Sequence, residues 1–317
     1  MTEAITTMHE AIRALLPAIF SWKSLALLLA FFNLKNLPFA WHTNLLYNLL
    51  LNLRRHPTSP LFPTGAPLPT TPGPTHPTHP VFAPHSLLTR NTPWETDYNF
   101  HKSNSTYFSD LDISRTALVT RVYTPGVTLV SAELDKELPA VSKELGRENA
   151  GKKIYIALGS TFCSFKREIR PLERFEVVSR VVGWDRKWVF VLSVFVRPEG
   201  KGKGGRTVFA AAVSKYVVKK GWLTVSPERV LRAGGLLPDR MEGEGNGDGV
   251  MVEQEQEGEG EGEEEEEEEE EEKLKENAQS WSKDQWTWER IEQERLRGLK
   301  VVEGYAGLDE KLFAEWE

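Results

Sequence analysis

The sequence contains little cysteine and little histidine. Cys163 is the single cysteine among 317 residues, so an intrachain disulfide framework is excluded and a reducing compartment is indicated. His76 and His79 stand close together in the segment THPTHP, but that segment offers none of the further ligands that a structural metal site needs. We therefore expect neither a metal nor a redox cofactor.

The sequence also lacks an uninterrupted apolar run of the roughly 20 residues that a membrane-spanning helix requires. Residues 14–32 are mostly apolar but are broken by Pro17 and Lys23, and a second apolar run covers 44–53. We expect residues 14–53 to attach the chain to a membrane, as one span or in the interface, with the folded part on the cytosolic side. The alternative is a hydrophobic helical hairpin that packs on the protein's own surface.

Composition divides the chain into five parts. They are a hydrophobic segment (1–56), a linker with ten prolines (57–84), a folded domain (85–238), a disordered Glu- and Gly-rich tract (239–280) and an amphipathic C-terminal helix (281–317). The net charge of −7 comes mainly from the acidic tract, because residues 82–238 carry 25 Lys and Arg against 15 Asp and Glu. A basic domain of this kind attracts phosphates or an anionic membrane surface.

The folded domain shows strand, long helix and then a series of strands. The pattern predicts an extended segment at 87–96, a helix at about 105–123, a break at Pro125 and Gly126 with a short helix near 132–145, strands at 154–168, 175–183, 188–197 and 206–218, and a helix that begins at Ser226. One helix against an antiparallel sheet is an α+β architecture.

A carboxylate stands just before the predicted long helix. Asp97 precedes Ser103, Asn104 and Ser105, which are all good N-cap residues. A carboxylate can activate water or attack a carbonyl carbon, and the free N–H groups of a helix N-terminus can hold the developing oxyanion. This combination suits the cleavage of an acyl group.

Two motifs carry a resemblance to a known family. The residues DYNFHKSNSTY from Asp97 to Tyr107 resemble the D-x-x-G-H-x-N-N-x-x-Y signature of hot-dog-fold acyl-CoA thioesterases of the 4-hydroxybenzoyl-CoA type. The run FKREIRPLERFEVVSRVVGWDRKW at 165–188 is similar to thioesterase superfamily member 6-like proteins and their fungal relatives. Phe100 replaces the usual Gly and Ser103 the first Asn. The resemblance covers about 82–238 and implies a hot-dog fold, in which a curved antiparallel sheet wraps a long helix.

The resemblance also implies roles for individual residues. It implies Asp97 and His101 as catalytic residues, Phe100, Asn104, Ser105, Thr106 and Tyr107 as substrate-binding residues, and Asp110 and Asp112 as reserve carboxylates. Two of these have plainer alternatives. His101 would otherwise orient the turn by hydrogen bonding, and Asp97 would otherwise form an Asx turn before the helix.

The leading hypothesis is a membrane-anchored enzyme that hydrolyses fatty acyl-CoA thioesters with the help of Asp97. In hot-dog proteins the acyl site lies between two subunits or two domain copies, and the sequence holds one copy of the Asp97 motif, so a homodimer is expected. The rival hypothesis is a non-catalytic acyl-binding or scaffold protein whose site is blocked by Phe100. Nucleic-acid binding is not expected, because aromatic and basic residues do not alternate in a binding motif.

Overall fold

The computed structural model describes residues 21–59, 79–145, 153–198, 207–238 and 287–316. The helices are α1 (Trp22–Phe32), α2 (Ala40–Asn52), α3 (Thr106–Leu145), α4 (Pro227–Ala233), α5 (Trp288–Ala306) and α6 (Leu308–Trp316). The strands are β1 (His85–Arg90), β2 (Ile154–Phe165), β3 (Arg174–Trp184), β4 (Trp188–Val196), β5 (Val208–Lys220) and β6 (Leu223–Val225). Single 3-10 turns occupy Leu34–Asn36, Pro80–Phe82 and Pro93–Glu95. The predicted acidic tract and most of the proline-rich linker lie outside the described residues, as do residues 14–20 of the predicted membrane segment.

The strands form one antiparallel sheet in the order β1-β3-β4-β5-β2, with the short β6 paired to β5. Register shifts interrupt the β2–β5, β3–β4 and β4–β5 pairs, and such bulges increase the local bend and twist of a sheet. The helix α3 packs along this sheet, where Leu118, Val122 and Val130 join a core with side chains of β3, β4 and β5. The predicted α+β hot-dog architecture is confirmed, with strand ends shifted by up to three residues except in β1, which ends at Arg90, six residues before the predicted end.

The predicted break in the long helix at Pro125 is wrong, because α3 continues to Leu145. A proline inside a helix removes the hydrogen bond to the carbonyl four residues earlier, which here belongs to Arg121. Arg54 supplies a replacement donor, since its Nη1 lies 3.4 Å from the Arg121 carbonyl oxygen. The cost of the proline is therefore partly offset by a side chain from the N-terminal segment.

Gly126 does not break the helix either, and its role is to permit close packing. A Cβ at this position would lie 1.9 Å from the carbonyl oxygen of Val230 in α4. The missing side chain lets α4 pack directly against the backbone of α3. Glycine weakens a helix by about 1 kcal/mol relative to alanine, and the close helix–helix contact explains its presence inside α3.

The folded core begins before residue 85. Val81 and Phe82, which fall within the predicted linker, are fully buried, and the Phe82 ring stacks on Trp184 with ring centroids 5.8 Å apart. His79 accepts the Val81 backbone N–H at 3.3 Å, and burial lowers the pKa of His79 to about 4. The end of the predicted linker is thus part of the domain.

The second N-terminal helix is joined to the domain by a buried polar network. Asn52 Oδ1 accepts from Arg121 Nε at 3.1 Å and Nη2 at 2.6 Å, and Arg121 also reaches His85 Nδ1 at 2.9 Å. Burial, aided by the Arg121 charge, lowers the pKa of His85 to about 3, so a neutral imidazole accepts from the guanidinium. The network holds α2 against α3 and β1.

The first N-terminal helix leaves its apolar residues largely in solvent. Trp22, Leu27 and Phe31 are 76%, 72% and 65% exposed, and no residue of α1 is buried. Among the helices of the described residues, none has both the length and the apolar character needed to cross a membrane.

The C-terminal helix packs on the outer face of the sheet. Within the predicted C-terminal helix (281–317), the structure has two helices, α5 and α6, which Gly307 separates. A Cβ at Gly298 would lie 1.6 Å from the carbonyl oxygen of Val182, so the helix backbone touches the strand backbone. Lys215 on β5 also reaches Asp309 Oδ1 at 2.5 Å.

Gly298→Ala should therefore destabilise the protein by about 1–3 kcal/mol, the usual range for overpacking a tight contact. Gly304→Ala is the matched control in the same helix, because a Cβ at Gly304 would have no described atom within 4 Å. The control should be neutral or should stabilise by up to about 1 kcal/mol. Thermal unfolding of both variants checks the prediction, and equal melting temperatures would contradict it.

Candidate active site

The predicted motif forms a tight loop closed by a bridge between Thr96 and Lys102. We call residues 96–102 the motif loop. Asp97 donates its backbone N–H to the His101 carbonyl at 2.9 Å and accepts the Phe100 N–H on its own carbonyl at 3.1 Å. The Asp97 side chain accepts the Asn99 N–H at 2.9 Å, which is the Asx turn that short carboxylates favour.

The residue in place of the family glycine has a left-handed backbone. Phe100 has φ of 61°, a region that glycine enters without a steric penalty and other residues rarely occupy. Its ring is 79% exposed and lies in neither the core nor an enclosed pocket of the described residues. Trp94 and Tyr98 are also exposed, at 77% and 89%. Three aromatic residues that lie within three positions of Asp97 in the chain are therefore exposed to solvent.

The Asp97 carboxylate is partly accessible and lies near a histidine. Its side chain is 22% exposed, and its Oδ2 is 3.7 Å from His101 Nδ1. His101 Nε2 lies 3.9 Å from Glu168 Oε1. Both separations exceed a hydrogen bond, so His101 lies near both carboxylates without a hydrogen bond to either. One oxygen of Asp97 therefore fixes the turn, and the other faces an imidazole and solvent.

The N-terminus of α3 presents free donors next to this loop in the chain. Ser103 donates its N–H to the Glu95 carbonyl at 2.8 Å, and Thr106 donates its N–H to the Ser103 carbonyl at 3.0 Å. Within the described part of the chain, the N–H groups of Asn104 and Ser105 have no hydrogen-bond acceptor, and both residues are exposed. Such N–H groups attract negative charge at a helix start.

Four charged side chains lie together beneath the motif loop. We call Lys35, Glu95, Lys102 and Asp110 the ion cluster. Lys35 Nζ is 2.9 Å from Glu95 Oε1 and 2.6 Å from Asp110 Oδ1. Lys102 Nζ is 3.3 Å from Glu95 Oε2 and 3.0 Å from Asp110 Oδ2. Two positive and two negative charges balance in a place where Lys102, Glu95 and Asp110 are almost fully buried.

The ion cluster has an aromatic wall. Lys102 Nζ lies 5.3 Å from the ring centroid of Phe175 and 5.4 Å from that of Tyr107, distances at which a cation is attracted to a ring face. The Lys102 and Asp110 groups face each other without hydrogen-bond geometry, so the contact is an ion pair. Its surroundings exclude water on most sides.

Other predicted site residues take different positions. The Tyr107 ring is buried between Phe165 and Phe195, with ring centroids 5.0 and 4.9 Å away, and burial raises the pKa of its hydroxyl. Asp110 belongs to the ion cluster. Asp112 is 44% exposed and pairs with Arg115 at 2.6 Å, which leaves it as the accessible reserve carboxylate.

Sequence reasoning missed Lys35, Glu95 and Lys102 as members of the site. Lys35 stands at the end of an apolar run, and Lys102 fills a variable position of the motif. One local signal was present for Glu95, because Thr92 and Glu95 have the spacing of a capping box. The Thr92 N–H does reach Glu95 Oε2 at 3.2 Å.

A shallow groove lies between the N-terminal helices and β1. It encloses about 610 Å³, and Leu34, Leu88, Thr92, Arg90 and Arg174 are among the residues that line it. Arg90 and Arg174 face each other across β1 and β3, and neither is paired with a carboxylate among the described residues. Like charges at such positions destabilise a sheet and attract an anion. No group of three or more His, Cys, Asp and Glu in the described residues could hold a metal ion.

Comparison with known proteins identifies relatives along most of the chain. Residues 92–219 match the thioesterase-like superfamily. Thioesterase lcsJ of Purpureocillium lilacinum is 39% identical over 303 residues, covering 93% of this chain and 93% of its own. The probable thioesterase atnL of Emericella nidulans is 32% identical over 293 residues, covering 87% and 82%. The probable thioesterase YBR096W of Saccharomyces cerevisiae is 32% identical over 223 residues, covering 70% and 83%.

Phe100→Gly should preserve or increase stability, because glycine relieves the left-handed backbone and the lost ring is exposed. A residue held in this region costs about 1–3 kcal/mol, and the flexibility of unfolded glycine offsets about 0.4–1 kcal/mol of that gain. Phe100→Ala is the matched control, since it removes the ring and keeps the strain. Urea unfolding of both variants should place glycine above alanine. The reverse order would contradict the backbone explanation.

Proposed function

The chain belongs to the thioesterase-like superfamily and is a thioester hydrolase, and we propose that it hydrolyses fatty acyl-CoA thioesters with Asp97 as general base. The observation that carries this proposal is the position of Asp97. Its carboxylate is partly exposed in a hydrogen-bonded loop that leads into a helix start, where the N–H groups of Asn104 and Ser105 have no acceptor among the described residues. Base and oxyanion donors are the two parts that thioester hydrolysis requires.

The proposed reaction needs one group that carries a proton and two N–H groups that donate hydrogen bonds to the oxyanion. Asp97 takes a proton from water as the water oxygen bonds to the thioester carbonyl carbon, and the N–H groups of Asn104 and Ser105 hold the resulting oxyanion. The carbon–sulfur bond then breaks, and Asp97 returns the proton to the sulfur. The products are a carboxylic acid and a free thiol. His101, 3.7 Å from Asp97, orients the carboxylate electrostatically.

Asp97→Asn should lower turnover by about a hundredfold or more while the protein remains folded. Asparagine keeps the side-chain oxygen that accepts the Asn99 N–H but cannot accept a proton. Turnover of acyl-CoA and the melting temperature should be measured on the same preparation. Asp112→Asn tests the rival carboxylate in parallel. Normal turnover in folded Asp97→Asn, together with loss of turnover in Asp112→Asn, would show that Asp112 on α3 is the general base.

Support for a coenzyme A substrate comes from the groove beside β1. Arg90 and Arg174 are register partners on β1 and β3, and guanidinium groups are suited to the phosphates of a nucleotide carrier. Thr92 on the groove wall stands five residues before Asp97. The basic excess of residues 82–238 acts in the same direction. The rival, a non-catalytic acyl-binding protein blocked by Phe100, is less well supported because that ring points to solvent.

The expected homodimer stays a prediction, and the free edge of β2 supports it. This strand pairs with β5 on one side and is the last strand of the sheet in the described part of the chain. It carries exposed apolar side chains at Tyr155, Leu158 and Phe162. Edge strands of this kind pair readily with a second copy, and a second copy would complete an acyl site between subunits.

We also propose that α1 rests in a membrane interface. Its 11 residues span about 16 Å at 1.5 Å per residue, about half the thickness of a bilayer core. The exposed Trp22, Leu27 and Phe31 are the apolar and aromatic side chains that interfacial helices insert. Fatty acyl substrates partition into the same layer.

Leu27→Glu combined with Phe31→Glu should reduce binding to phosphatidylcholine vesicles, because two charges on the inserting face oppose entry into the acyl layer. Val301→Glu is the matched control, since Val301 is 70% exposed on α5. Vesicle flotation of the full chain measures the effect. Equal flotation of both variants would show that α1 does not carry the attachment.

A further inference from the structure

The turn between α1 and α2 makes directed polar contacts with the segment that leads into Asp97. Asn33 Oδ1 accepts the Trp94 N–H at 2.7 Å, and Asn36 Nδ2 donates to Thr92 Oγ1 at 2.5 Å. Both acceptor and donor belong to side chains of the turn, residues 33–36. The contacts fix residues 92–94, which stand immediately before the loop that carries the proposed base.

The turn is itself held in place by hydrogen bonds. Asn33 is 5% exposed, and its Nδ2 donates to the Leu29 carbonyl at 2.7 Å, so one amide caps α1 and binds Trp94 at once. Farther along, Trp41 Nε1 donates to the Ser109 carbonyl at 3.3 Å. The hairpin therefore touches both the chain before the motif loop and the first turns of α3.

Lys35 belongs to the same turn and is also a member of the ion cluster. It supplies one of the two positive charges that balance Glu95 and Asp110. Without Lys35, both carboxylates would depend on Lys102 alone, and one buried negative charge would lack compensation. The carboxylates would then separate from each other or admit water, and the distance between the segments that bear them would change.

The ion cluster joins the two stems of the motif loop. Glu95 precedes Thr96 at one stem, and its carbonyl accepts the Ser103 N–H at 2.8 Å. Lys102 closes the other stem by its bridge to Thr96. Asp110 on α3 pairs directly with Lys102 at one stem and reaches the Glu95 stem through Lys35, which contacts both carboxylates. A shift in the cluster therefore moves Asp97 relative to the helix N–H groups, which is the geometry the proposed reaction depends on.

We propose that the turn 33–36 is part of the active site and that Lys35 is a positioning residue for Asp97. The inference rests on the proposed role of Asp97 in thioester hydrolysis. The N-terminal hairpin would then have two roles. Its apolar outer face would contact the proposed membrane interface, and its turn would fix the position of the motif loop that carries Asp97. Deleting residues 1–56 would remove Lys35 together with the buried Asn52 and Arg54, so the test requires the full chain.

Lys35→Met should lower kcat by about tenfold to a hundredfold, because misplacement of a catalytic group by about 1 Å has effects of this size; a change in KM is also expected, since Lys35 lines the groove proposed for coenzyme A. Lys35→Arg should restore most of kcat, since it returns the charge to the same position. Lys23→Met, an exposed lysine of α1, is the matched control and should equal wild type. Assays run well below the lowest melting temperature separate positioning from unfolding.

Wild-type kcat in folded Lys35→Met would overturn the inference, and so would a change confined to KM or an Arg variant as poor as the Met variant. If Lys35→Met does not fold, Asn36→Ala replaces it, because that change removes the single contact to Thr92. It should also lower kcat, and wild-type kcat there would equally refute the proposal. Asp97→Asn, assayed alongside, identifies the failing claim: if it is inactive while Lys35→Met is active, only this inference fails.

Discussion

Four charges, those of Lys35, Glu95, Lys102 and Asp110, determine how three distant parts of the chain meet, and all but that of Lys35 are buried. Buried ion pairs add little net stability over a well-packed apolar alternative, but removing one partner typically costs about 3–5 kcal/mol. The main effect of the cluster is therefore to fix the relative positions of the segments that carry these charges, and its contribution to the free energy of folding is small. Carboxylates from the loop stem and from α3 can approach each other only where two ammonium groups separate them, and this requirement fixes the N-terminal turn, the motif loop and the helix start in one arrangement.

The N-terminal hairpin has two faces with different chemistry. Its outer face exposes Trp22, Leu27 and Phe31, while its inner face offers amides and a lysine to the domain. Asn52 and Arg54 repeat this pattern at the other end, where they reach Arg121 and replace the hydrogen bond that Pro125 removes. The hairpin is thus joined to the folded domain at both ends of α2.

Much of the sheet could be predicted from sequence, because alternating apolar residues and a turn with Asp185 define β3 and β4 locally. The length of α3 could not, since its passage through Pro125 depends on Arg54, far away in the chain. The ion cluster was equally hidden, because Lys35 and Glu95 are 60 residues apart and each has an ordinary local role. Phe100 was noted as a replacement of the usual glycine, but its left-handed backbone, with φ of 61°, was not predicted from the sequence.

The central claim, that Asp97 activates water and does not bond to the acyl group, is tested most directly by turnover in ¹⁸O-labelled water. After many turnovers of an acyl-CoA substrate, the fatty acid product should carry ¹⁸O, and the peptide that contains Asp97 should show its natural mass. Incorporation of ¹⁸O into the Asp97 carboxylate would contradict the account, because it requires an anhydride between Asp97 and the acyl group that water then opens by attack on the Asp97 carbonyl carbon, releasing the fatty acid.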